Sequence, residues 1–299
     1  MNISEINIYP VKSLKGISLS HATVEKPGLR FDRRWMLTDR NGMFFTQRET
    51  PKMATVQVGL TSKGLQVTSK GTDEIIVPFE PDSGQRQTVT VWGSTVEAEV
   101  YNWDVCEWFS DVLGRKCQLV LMPETAKRHV SGRFDSGEDI VSFADGYPLL
   151  LIGEGSLEEV NRRIPLSGDV LAGRMPAVQS GVPMERFRPN LVVRGSEPFA
   201  EDGWARIRVG EAIFRVVKPC ARCVMTTIDQ AKGVFDGREP LKTMATFRLA
   251  RQVFPESYES FGQTHNAVLF GENLIPENPG VTIRTGDEVE VLHFRTGPR

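Results

Sequence analysis

Cysteine is scarce in this sequence: 299 residues hold four, Cys106, Cys117, Cys220 and Cys223. Four thiols are too few for a disulfide framework in a chain this long, which points to a reducing compartment. Long apolar runs are missing as well. The longest, "YPLLLIG" at 147–153, falls far short of the ~18–20 residues that span a bilayer. The opening "MNISEINIYP" has no basic segment followed by an apolar one, so no secretory leader is expected. Nor does either sign of charge dominate, since 36 Lys and Arg stand against 38 Asp and Glu. No overall basic field argues for nucleic acid or an anionic membrane as partner, and any anion-binding surface must be local. The expectation is a soluble, cytoplasmic chain. At 40% hydrophobic residues it can bury a large core, as two domains or one oversized one.

What is present is mostly β patterning. From residue 2 to about 100, short alternating runs such as "SEINIYPV", "MATVQVGL", "EIIVPF" and "VTVWGSTVEAEV" are separated by turn residues, which suggests a small barrel or sandwich. "DRNG" at 39–42 reads as a type I′ hairpin turn bringing "RWML" beside "MFFT". Val105, Trp108, Phe109, Val112 and Leu113 fall at helical spacing with Gly114 as a stop, and a domain joint is placed near there. Ser156 and Glu159 form a capping-box signal for a helix at 156–163. The stretch 167–183, rich in Gly, Pro and Ser, reads as a loop. Strands return in the second half, with a Gly210-Glu211 turn pairing "ARIRV" with "AIFRVVK" and one helix at about 240–251 beginning near Pro240.

"KPCARCVMTTID", 218–229, raises the chemical question. A closed zinc site needs two more ligands at comparable spacing, and His265 and His293 could supply them only by tertiary accident. A thioredoxin-type dithiol wants a helix after its first cysteine, whereas Val224 to Ile228 favour strand. Cys220, behind Pro219, reads as a small buried hydrophobe. Cys223 differs, because Arg222 precedes it and Lys218 is near, a cationic setting that favours a thiolate. Arg206 and Arg208, at strand alternation, read as a solvated face. Elsewhere, "RFRPN" holds Arg188 and Asn190 around a proline and "YPVKSLKG" holds Lys12 and Ser13 in a stiffened loop. "FDRRW" places Arg33 and Arg34 on opposite faces of a strand. Singly these are surface cations or ion pairs. Together, a thiolate, several cations and Ser/Asn donors equip a site for a phosphate-bearing anionic cofactor whose metal takes a soft sulfur ligand.

"IYPVKSLKG", "GLRFDRRWML", "SFADGYPLLL", "RFRPNLVV", "KPCARCVMTTID", "EPLKTMATFR" and "FGENLIPENPGVTIRTGDEVEVL", in that order, resemble the MOSC family. Within it they are similar to the bacterial YcbX proteins and the mitochondrial amidoxime-reducing component. The resemblance implies a mostly β fold with few helices: an N-terminal MOSC β-barrel domain, set here at 1–120, and a MOSC domain at 121–299. It implies molybdenum cofactor (molybdopterin), with Cys223 as the molybdenum ligand. Arg222, Arg188 and Asn190 would contact the pterin or its phosphate, and Lys12, Ser13 and Arg33 match further cofactor contacts. Asp145 matches the acidic position near the metal and is the expected proton source. Gly146 and Tyr147 stand where the mitochondrial relatives have Thr/Ser, so backbone amides would make those contacts. Many YcbX proteins also carry a [2Fe-2S] ferredoxin domain, whose four-cysteine set this chain does not encode. The implied activity is reduction of N-hydroxylated compounds, namely hydroxylaminopurines, hydroxylamines and amidoximes, with electrons from a separate flavin or iron–sulfur protein. Pyridoxal phosphate is not expected. The other class kept open is a sulfur carrier or cofactor-handling protein with a persulfide on Cys223.

Overall fold

A computed structural model describes residues 1–130, 132–165 and 181–296. Its largest element is an eight-stranded sheet in the order Ile17–Leu19, Asn2–Ile8, Leu191–Arg194, Leu149–Gly153, Leu269–Pro276, Ala212–Ala221, Trp204–Val209, Val289–Phe294. All described neighbours run antiparallel except Leu149–Gly153 beside Leu191–Arg194. The uninterrupted run "LLLIG" has its reason here: the strand is buried along its whole length, so neither face calls for polar residues. The first strand pairs Ile6 with Leu191, so this sheet draws on both ends of the chain. The Gly210 turn pairs Val209 with Ala212 and Arg206 with Arg215, as its glycine requires.

A second sheet runs Trp35–Thr38, Gln118–Leu121, Ser94–Val100, Arg86–Val91, and three smaller sheets complete a mostly β fold. The helix Trp103–Leu113 packs Val105, Phe109, Val112 and Leu113 into a core shared with Trp35, Phe45 and Leu65. Asn102 accepts a hydrogen bond from Val105 N at 3.2 Å and Gly114 takes the left-handed stop at φ 66°. A separate core of Ile6, Leu151, Leu191, Trp204 and Phe214 fills one side of the large sheet.

Five local readings are corrected. Gly42 alone takes positive φ in the 39–42 turn; Asp39 ties it by accepting from Asn41 N and Met43 N, both at 2.9 Å, so the turn is not type I′. The second helix starts at Glu154, because Ser156 is buried and spends its hydroxyl on Glu201 Oε2 at 2.8 Å. Glu159 pairs instead with Arg162 and Arg163. The 240–251 helix divides into Leu241–Met244 and Ala250–Val253, since Leu249 opens to bridge Val268. Arg33 lies in a turn at φ 50° rather than on a strand. Val224–Thr227 is a single 3-10 turn, because Thr226 N and Oγ1 both bond Cys223 O, at 3.1 and 3.0 Å. The loop read at 167–183 lies outside the described residues up to 180; Val182 beyond it is buried.

Candidate functional site

Lys12, Ser13, Arg33, Asp145, Gly146, Tyr147, Arg188, Asn190, Arg222 and Cys223 line one cleft, with about 910 Å³ of empty space including the solvent at its mouth. Each reaches it through a local constraint. Lys12 N bonds Trp35 O at 2.8 Å, and the chain then turns through Ser13 at φ 68°, its carbonyl held by Gln47 Nε2 at 2.7 Å. The Lys12 side chain is buried and donates to Phe143 O at 2.8 Å and Asp145 Oδ1 at 2.5 Å. Burial pulls its amine below the ordinary lysine value and Asp145 opposes that pull.

Arg33 and Arg188, both at positive φ, each stack on the Tyr9 ring, at 4.2 and 4.1 Å from its centroid. Burial pushes the Tyr9 hydroxyl up to about 12, so it stays neutral and donates to Pro189 O. Arg33 Nη1 is committed to Asp32, at 2.8 and 2.6 Å, and to Asn190 Oδ1 at 3.0 Å. Asn190 in turn accepts from Leu150 N and donates to Asn7 O, stitching two strands together. Arg33 Nη2 also donates to Arg188 O at 3.2 Å, and the Arg188 guanidinium donates to Leu14 O at 2.7 Å.

Cys223 is half-buried at the start of the 3-10 turn, and its sulfur accepts from Arg48 Nη2 at 3.2 Å. Arg48 also lies 3.9 Å from Asp145 Oδ2 and stacks over Trp92 at 4.6 Å. Desolvation in the cleft pushes the Asp145 carboxyl up. Lys12, the Trp92 N–H and Arg48 outweigh it and hold the group well below the usual carboxylate range, although its side chain is 61% exposed. A carboxylate held charged in this way is a ready hydrogen-bond acceptor at the cleft mouth. Cys220 also lines the cleft, with burial raising its thiol above the ordinary range.

Gly146 and Tyr147 border open and covered space respectively. A Cβ built on Gly146 meets nothing within 4 Å, whereas Tyr147 packs edge-on against Phe134 at 6.2 Å. Arg48, Trp92 and Arg186 are site residues that sequence reading missed. Arg186 lies inside the quoted "RFRPN", two positions before Arg188 in a 3-10 turn; lone Arg48 in "TQRET" carries no signal.

Six cations line the cleft, Lys12, Arg33, Arg48, Arg186, Arg188 and Arg222, against one carboxylate, Asp145. Asp32 and Asp236, from outside the lining, answer Arg33 and Arg186. Among the described residues no ion-pair partner answers Arg188 or Arg222. Arg222 donates through Nε to Phe270 O and through Nη1 to Phe187 O, while its buried Nη2 has no partner; nor does the buried Nε of Arg186. Buried donors left over in this way fit an oxyanion, for which guanidinium forks are well shaped. Among the described residues no three His, Cys, Asp or Glu side chains gather to hold a bare metal ion. A metal at Cys223 would need other ligands, and a phosphate-bearing cofactor supplies both needs. The residues present fit such a group.

A two-part β protein with a cationic cleft, in which one of two lining thiols meets a guanidinium, is the class this geometry defines. Residues 1–116 match the MOSC N-terminal beta barrel domain and residues 138–290 the MOSC domain; the chain belongs to the MOSC family. It is 30% identical to mitochondrial amidoxime-reducing component 1 of Mus musculus, over 97% of this chain and 82% of that one. Mitochondrial amidoxime reducing component 2 of Rattus norvegicus is also 30% identical, over 96% and 82%. Molybdenum cofactor sulfurase of Oryza sativa subsp. japonica is 31% identical over 83% of this chain and 31% of its own length.

Proposed function

We propose that this chain is a cytoplasmic oxidoreductase that holds molybdenum cofactor in the cleft and reduces N-hydroxylated compounds to amines. The observation that carries the reading is the convergence of Cys223 with six cations, against a single carboxylate in the lining, in one cleft. The names of the amidoxime-reducing relatives support the reaction class. When bound, the cofactor supplies the two-electron redox chemistry. An amidoxime takes up two electrons and two protons to give an amidine and water, the electrons coming from a separate flavin or iron–sulfur protein.

The chain's own groups do the rest. Cys223 offers a soft sulfur ligand, half-buried and beside a cation. Arg222 and Arg188 hold the phosphate and pterin, with Arg33, itself held by Asn190, bonding the Arg188 carbonyl. Lys12 fixes Asp145 as a charged acceptor at the cleft mouth. Ser13 and Gly146 bring backbone close to the ligand at turns where side chains leave room.

The test is elemental analysis and turnover of chain purified from a host that makes the cofactor. About one molybdenum per chain, with benzamidoxime reduction by a reconstituted electron donor, is the expected result. Molybdenum-free protein carrying an extra sulfur on Cys223 would instead identify a sulfur-handling protein and contradict the proposal.

A further inference from the structure

Trp92 sits at the tip of the hairpin joining Arg86–Val91 to Ser94–Val100, at φ 56°. A bulky side chain in the left-handed region is strained, and such strain persists only where the surroundings hold it. What the strained tip does is visible. Its indole N–H donates to Asp145 Oδ1 at 3.1 Å, and its ring supports the Arg48 guanidinium at 4.6 Å. Phe44 braces the indole from the side at 5.1 Å.

The result is a fixed donor–acceptor pair beside the sulfur. Asp145 Oδ1 is saturated by Lys12 and Trp92, so the capacity left on the carboxylate is at Oδ2. Oδ2 lies 3.9 Å from Arg48 Nη2, too far for a hydrogen bond, and the same Nη2 lies 3.2 Å from Cys223 Sγ. A small molecule bound beside the Cys223 sulfur would meet both groups, since Arg48 links the two.

We infer that Arg48 and Asp145 select substrates that carry an N–H next to the N–O group. Arg48 donates to the oxygen of the N–O bond, and Asp145 Oδ2 accepts from the neighbouring N–H. Amidoximes, N-hydroxyguanidines and hydroxylaminopurines present both features; a pyridine N-oxide presents the oxygen alone. The inference rests on the cleft holding the cofactor, and it adds which N-oxygenated compounds the cleft prefers and why.

Calorimetric titration of oxidised, molybdenum-loaded protein without an electron donor compares benzamidoxime with pyridine N-oxide in the absence of turnover. Asp145→Asn is expected to weaken benzamidoxime binding about tenfold, the worth of one charge-assisted hydrogen bond, and to leave pyridine N-oxide unchanged. Asp145→Asn also deprives Lys12 of its carboxylate, so Arg48→Gln, outside that ion pair, is the second variant; it should weaken both compounds, with Arg48→Lys recovering part of the loss. Equal weakening of both compounds by Asp145→Asn, or no effect of Arg48→Gln on either, overturns the inference. Molybdenum per chain is measured on the same samples. Metal-free wild-type protein would count against the cofactor reading, whereas full loading with flat selectivity counts against this one.

Discussion

The two pairs of cysteines show how far surroundings decide what a residue is. Cys106, on the helix Trp103–Leu113, and Cys117, just beyond it, are buried in a core with Trp35, Phe109 and Leu119. Burial pushes the Cys117 thiol up to about 11, a hydrogen bond with Ser110 opposing it, and burial raises Cys106 as well. Such thiols behave as small hydrophobes. Cys220 and Cys223 lie in the cationic cleft, yet only three positions apart they still differ. Cys220 packs on an apolar cluster with Phe187 and Phe270, while Cys223 meets the Arg48 guanidinium. Closeness in the chain, as in a C-x-x-C spacing, therefore does not give two thiols one environment.

The sharpest way to break this comparison is alkylation of the native, cofactor-free protein. Cys223 should react orders of magnitude faster than Cys106 or Cys117, which are reached only through opening of the core; peptide mass spectrometry reads the order, and equal rates would erase the distinction. Next in size is Phe109→Ala. Loss of this fully buried ring should cost about 3–5 kcal/mol in urea unfolding while leaving molybdenum per folded chain unchanged, since the apolar core does not line the cleft.

A third effect concerns pH. Glu272 is fully buried beside Arg295, and burial pushes its carboxyl from 4.5 up to about 8 against that guanidinium. The folded protein keeps a proton that the unfolded chain gives up, so this contribution is full below about pH 4.5 and is lost as pH rises through about 8. The melting temperature should fall over that window, and Glu272→Gln should flatten the fall. The smallest effect belongs to Glu159, which pairs with Arg162 and Arg163 on an exposed helix face. Glu159→Gln should change stability by less than about 1 kcal/mol, and less still at high salt.

Much of this was legible in sequence because period and punctuation carry it. Alternation marked the strands, Gly114 the helix stop, and Gly210 the hairpin. Five of the seven ordered blocks supply the ten residues that meet in one cleft. Long-range hydrogen bonds decided what was missed. Ser156 abandons a capping box for Glu201, and Leu249 breaks a helix to reach Val268. Arg48 and Trp92 belong to no local pattern, since their meaning comes from Cys223 and Asp145, far away in the chain. The charge state of Asp145 likewise depends on Lys12, which no spacing rule connects to it.

The central claim is that Cys223, and not its neighbour, ties a molybdenum cofactor into the cleft. Molybdenum per chain, measured side by side in wild-type, Cys220→Ala and Cys223→Ala proteins from one cofactor-producing host, tests it most directly. The account predicts metal in the first two and its loss in the third, with all three folded; full molybdenum in Cys223→Ala would contradict it.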